Sequence, residues 1–108
     1  MQRRHQHLNV PSEIVRTIVA ISETGSLSKA AKRLGLSQRA ASSQIKRIQN
    51  LLGAGLFNKT SNGTVPTPFG KLVLDQARRM LDANDQMLRL GGSVEGPRPL
   101  RSVSARRW

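Results

Sequence analysis

Two short apolar stripes of helical period meet across only three residues. Leu27, Ala30, Ala31 and Leu34 recur at i, i+3, i+4 and i+7, and Ala41, Ile45, Ile48 and Leu52 repeat the pattern after Gly35-Leu36-Ser37. A connection that short forces the two helices to cross closely, and Ala30 and Ala31 are small enough to allow it. Ser26 and Ser37 stand where helix N-caps belong, and Gly35 stands where a left-handed C-terminal residue belongs. The pair therefore predicts a rigid second rod, from about Gln38 to Leu52, projecting from a small body.

The rest of the chain supplies that body. Ile14, Val15, Ile18, Val19 and Ile21 form a first helical stripe, with Ser12 as the expected N-cap and Gly25 as the terminator. After Gly53 and Gly55, Leu56-Phe57 turns back toward the core. Short strands are expected over Phe57 to Lys59 and Thr64 to Pro66, joined through Ser61-Asn62-Gly63. Thr67-Pro68 opens a last helix running to about Leu90. Phe69, Val73, Gln76, Met80, Ala83, Met87 and Leu90 are spaced 4, 3, 4, 3, 4, 3 along it, a heptad seam. The fold class is mainly α. Residues 1–11 read as a flexible basic arm and 91–108 as a disordered Gly/Pro/Arg tail.

Charge narrows the partner. The 108 residues carry 18 Lys+Arg and 6 Asp+Glu, a formal charge of +12. From Thr24 through Leu74 there is no acid, while Lys29, Lys32, Arg33, Arg39, Lys46, Arg47, Lys59 and Lys71 all fall there. Ordinary soluble surfaces intersperse the two signs. One sign over half the chain implies a face for phosphate, against the simpler reading of a solvated basic surface. With no Cys there is no disulfide or thiolate chemistry. No apolar run approaches the ~20 residues of a membrane span. His5 and His7 read as an incidental polar run, so no metal site and no cofactor are expected. Aromatics are only 3% of the chain, which disfavours the stacking platforms that bind single strands or RNA.

The run GSLSKAAKRLGLSQRAASSQIKRIQNLLGAGLF, followed by TPFG, resembles the N-terminal winged helix-turn-helix of the LysR-type bacterial transcriptional regulators. The likeness rests on Gly25-Ser26, Ala30-Ala31, Ser37-Gln38, Gln44-Ile45, Gly53 with Leu56-Phe57, and Thr67 with Gly70. It spans roughly residues 12 to 90. The chain departs at Arg39 (usually proline), Gln49 (usually Glu) and Lys59 (usually Arg). The first two raise positive charge near the expected groove, and the third loses a guanidinium fork. The resemblance implies a three-helix core with a short two-stranded wing over 12–66, then a linker and dimerisation helix over 67–90. It also implies a large effector-sensing domain after that helix. This chain stops at Trp108, so no small-molecule site is expected within it. Whether it is a fragment or a shortened regulator stays open.

On this reading the rod of 38–52 enters the major groove of double-stranded DNA, and the wing of 57–66 meets flanking backbone or minor groove. The candidate contacts are Ser37, Gln38, Arg39, Ser42, Ser43 and Lys46 on or beside the rod, Lys59 and Thr60 in the wing, and Lys29 and Lys32 on the preceding helix. Gln pairs well with adenine and Arg with guanine, each good bidentate pair discriminating by about 1–3 kcal/mol. Simpler readings stand beside these. Ser42 packs against the second helix, Arg47 and Asn50 are solvated, and the wing only holds Phe57 in place. The seam from Phe69 to Leu90 predicts a homodimer, with higher assembly left open. Its helix, about 33 Å long at 1.5 Å per residue, exceeds what one small domain covers.

The expected function is that of a dimeric, sequence-specific transcription regulator at an interrupted inverted repeat, cytoplasmic and associated with the bacterial nucleoid. Two alternatives remain at this level: an architectural, non-specific nucleic-acid binder, and a shortened subunit that pairs with a full-length regulator. Catalysis is not expected, because the basic middle has no general base and no phosphate-cradling glycine motif.

Overall fold

A computed structural model describes residues 9–91. Most of the expected arm (1–8) and tail (92–108), with His5, His7 and the tail arginines Arg98, Arg101, Arg106 and Arg107, lies outside the described residues. The elements run α1 (Ser12–Thr24), α2 (Leu27–Leu34), α3 (Gln38–Leu52), β1 (Phe57–Thr60), β2 (Gly63–Pro66) and α4 (Pro68–Leu90). The winged helix-turn-helix architecture is as expected, with three helices, a two-stranded antiparallel wing and a long final helix.

Helix α1 is the centre of the molecule. Its Ile14, Val15 and Ile18 join Ile48 of α3, Leu56, and Leu74 and Ala77 of α4 in one buried cluster. Its Ala20 and Ile21 join Ala30 of α2 in a second. Ile45 and Phe57 are half-buried and pack against both. Fully burying a branched side chain of this size contributes about 1.5–3 kcal/mol, so α1 is where most of the stability is gathered. Ala30 and Ala31 are both buried, which lets α2 cross α1 and α3 at short range.

The caps follow the sequence at most ends. Ser26 Oγ accepts from Lys29 N at 3.1 Å, Ser37 Oγ from Ala40 N at 3.0 Å, and Thr67 Oγ1 from Gly70 N at 2.9 Å. The turn between α2 and α3 closes as a Schellman motif. Leu36 N donates to Ala31 O and Gly35 N to Lys32 O, with Gly35 at φ 72°. The exception is Ser12. It is the first helical residue, and Pro11 is the N-cap, its carbonyl accepting from Ile14 N and Val15 N without a side-chain cap. Extended Pro11 starts the helix one residue early, and its carbonyl takes the first backbone bonds of the helix. Val10, just before it, packs against the core.

The wing also differs in detail. Thr60 pairs with Gly63 and Phe57 with Pro66, so the loop is the two residues Ser61-Asn62 and each strand is one residue longer than expected. Gly63 opens β2 at φ 118°. Its role is close approach, because a Cβ there would come 2.8 Å from the Gly25 carbonyl oxygen. The same carbonyl accepts from Thr64 N at 3.0 Å. The wing is thereby tied to the end of α1.

Leu52 closes the apolar stripe of α3 by sequence, yet it is exposed. The stripe runs past the edge of α1 in the last turn, where nothing among the described residues fully covers it.

Candidate nucleic-acid interface

The site is built on α3. Ala41 and Ile48 are buried, and Ile45 is half-buried. At 3.6 residues per turn, Arg39, Ser43, Lys46 and Asn50 then fall within about 60° of one another on the opposite side. All four are exposed, as are Gln38 and Arg47. Ser42 is half-buried on the flank, consistent with its partial packing toward the body. Ser37 is exposed, with its hydroxyl oxygen committed to the cap of α3.

Between α3 and the wing lies a cleft of about 590 Å³, with Gln38, Ser42 and Lys46 on one wall and Asn58, Lys59 and Thr60 on the other. The start of α2 at Ser26 and Ser28 closes one end, with the Ser26 N–H donated to Thr24 Oγ1 at 3.2 Å. Lys59 is exposed and free to reach outward. Thr60 is also exposed, but its hydroxyl donates to Gly63 O at 2.8 Å and accepts from Asn62 N at 3.1 Å. Its first duty is to the hairpin. Lys29 and Lys32 are exposed on α2.

Ion pairing spares this face. Among the described residues the ion pairs are Arg33–Glu23 at 2.7 Å and Arg79–Asp75 at 3.3 Å. The first uses up one cation of α2 and the second lies on α4. Arg39, Lys46, Lys59, Lys29 and Lys32 have no carboxylate partner, so their field is directed to solvent. No group of three His, Cys, Asp or Glu among the described residues is placed to hold a metal ion. No helix there is long and apolar enough to cross a membrane.

Three features escaped the sequence reading. Asn58 and Ser28 are exposed and line the cleft. Strand alternation carries a signal for Asn58, since Phe57 packs inward beside it. Gln49 has a role beyond the charge difference expected of it. Its side chain reaches back to the chain after α3, where Oε1 accepts from Leu56 N at 2.9 Å. It is a structural acceptor at the edge of the cleft.

Helix α4 divides its apolar residues between two faces. Gly70, Leu74 and Ala77 are buried against the body, with Leu81 half-buried. The predicted seam lies about 100° round the helix. Phe69, Gln76, Met80, Ala83, Met87 and Leu90 are exposed there, and Val73 is half-buried against the core. Leu72 joins the seam at 68% exposure, and Leu90 reaches 86%. An apolar groove of about 310 Å³ runs beside it, lined by Val15, Ile18, Leu52, Leu72 and Met80 among others.

A family model described as "Bacterial regulatory helix-turn-helix protein, lysR family" matches residues 13–71. Among curated proteins, the small neutral protease regulatory protein of Streptomyces coelicolor is 44% identical over 69 residues, 64% of this chain and 22% of its own length. The HTH-type transcriptional activator AmpR of Rhodobacter capsulatus is 38% identical over 85 residues, 78% of this chain and 29% of its own. The chain thus spans less than a third of these relatives. Among solved structures, the BenM_DBD/catB site 1 DNA complex superposes with a TM-score of 0.73 at 28% identity, covering 82% of this chain and 99% of that one. The oxidized form of Corynebacterium glutamicum OxyR gives 0.74 at 26% identity, covering 82% and 27%.

Proposed function

The chain belongs to the lysR family of bacterial regulatory helix-turn-helix proteins, and on that premise we propose that it binds double-stranded DNA at specific sequences as a dimeric transcription regulator. The observation that carries the reading is the outer ridge of α3. Arg39, Ser43 and Lys46 face solvent opposite a buried stripe, with no acid from Thr24 through Leu74 to oppose phosphate. A helix of this width enters the major groove with its N-terminal residues toward base edges. Gln38 and Arg39 occupy that end and supply the adenine- and guanine-type donors and acceptors. Ser42 and Ser43 follow one turn later. Lys46, Lys29 and Lys32 meet phosphates, and Lys59 in the wing reaches flanking backbone or minor groove. BenM_DBD and CbnR_DBD, both similar in fold to this chain, were solved as DNA complexes, which supports the assignment.

Residues 12–66 form the DNA-binding body in this proposal, and 67–90 the linker and dimerisation helix. The exposed seam from Phe69 to Leu90 pairs with a second copy, placing two α3 helices on an interrupted inverted repeat. The activity is recognition rather than catalysis, carried out with the DNA in the cytoplasm. Selection of bound sites from a random duplex pool tests the proposal. It should return a two-fold symmetric motif with a fixed spacer. Recovery of unrelated sequences with equal affinity would leave only a non-specific polyanion binder.

A further inference from the structure

We infer that Gln49 is a positioning residue that sets the angle between α3 and α4, and through it the half-site separation that a dimer accepts. The inference rests on the dimeric reading above.

Beside the core they share around α1, the two helices are joined through a single peptide plane held from both sides. That plane carries the Gly55 carbonyl at one edge and the Leu56 N–H at the other. Gln49, in the last turns of α3, accepts from Leu56 N at 2.9 Å. Thr67, the N-cap of α4, donates its hydroxyl to Gly55 O at 2.9 Å. The next carbonyl, Leu56 O, accepts from Thr67 N at 2.9 Å. Gly70 then lies so close that any Cβ there would overlap Leu56 O. A peptide unit is planar and stiff, so gripping both edges transmits orientation without slack. Leu56 itself is buried, which keeps water from replacing a lost partner.

The consequence is geometric. Helix α3 must lie in its groove, while α4 carries the second copy. With a rigid joint, the second α3 arrives at one separation along the duplex. Loosening the joint leaves each half able to bind and blurs the separation. A tethered second site gains from effective concentration only when the geometry lets both engage together.

The test uses Gln49→Met, which keeps length and loses the acceptor, and Gln49→Glu, which keeps an acceptor oxygen. Affinities are measured on the selected site, on the same half-sites with one to three base pairs added or removed, and on a single half-site. Oligomeric state is followed by sedimentation. Wild type should lose about tenfold or more when the spacer changes by two base pairs. Gln49→Met should compress that difference to about threefold or less, with single half-site affinity and dimerisation unchanged. Gln49→Glu should restore the wild-type profile. A wild-type spacer profile in Gln49→Met would overturn the inference alone. A wild-type chain indifferent to spacer would overturn the dimeric reading and this inference with it. If Gln49→Met does not fold, Thr67→Val, which releases the other edge of the same peptide, carries the comparison with the same two outcomes.

Discussion

Thr17, fully buried in α1, places its hydroxyl 2.6 Å from the Gln44 side-chain oxygen of α3 and 3.0 Å from the Glu13 carbonyl. This polar contact joins α1 to α3 in the middle of an otherwise apolar seam. It adds a directional contact to the apolar stripe that already turns α3 toward the body. Thr17→Val keeps the shape and removes the hydroxyl, leaving the Gln44 amide short of a partner. A loss of about 1–2 kcal/mol is expected, read as a lower denaturation midpoint. An unchanged midpoint would show that the hydroxyl contributes nothing.

Gly70→Ala should destabilise, against helix propensity. In an open helix the change would stabilise by roughly 0.8–1 kcal/mol. Here the added methyl meets the Leu56 carbonyl, and α4 must move off the body. Overpacking of this kind costs about 1–3 kcal/mol. Thermal unfolding decides the sign.

Arg39→Ala and Lys32→Ala should separate base reading from phosphate contact. Arg39→Ala is expected to weaken the selected site by about 1–3 kcal/mol while leaving scrambled duplex nearly unchanged. Lys32→Ala should weaken both alike and reduce the slope of log K against log salt by about 0.9. Titrations at several salt concentrations read both effects. Equal losses on both duplexes for Arg39→Ala would remove it from base recognition.

Met80→Lys should break dimers without unfolding monomers. Met80 is already 45% exposed, so a charge there costs the isolated body little. Across a paired seam the same charge faces apolar partners. Sedimentation should shift toward monomer, and affinity for the two-half-site duplex should fall by about a hundredfold or more as avidity is lost. Binding to a single half-site should persist. A dimer that survives the substitution would place the interface elsewhere.

Much of the architecture was legible because it depends on local chemistry. Ser26, Ser37 and Thr67 cap where their hydroxyls can reach the third backbone N–H, and Gly25, Gly35 and Gly53 end helices where φ must turn positive. Heptad spacing along α4 marks the exposed apolar face that carries Phe69, Met80, Met87 and Leu90. What was missed fell where a distant partner decides. Gln49 read only as a charge difference at the groove, since nothing in its neighbourhood names Leu56 as its donor. Gly63 read as a turn residue, whereas its constraint comes from Gly25, far away in sequence. Thr60 read as a contact residue of the wing, and its hydroxyl is also engaged within the hairpin.

The amino-acid order alone therefore determined the helices, their ends, the basic middle and the outward side of α3, because periodicity, capping and charge act over a few residues. Tertiary structure alone decided how α3 and α4 are held about the Gly55–Leu56 peptide, which cations are paired off, and which apolar face of α4 is left open. Those depend on backbone and side chains that meet only after the chain has folded back on itself, and no local spacing encodes such a meeting.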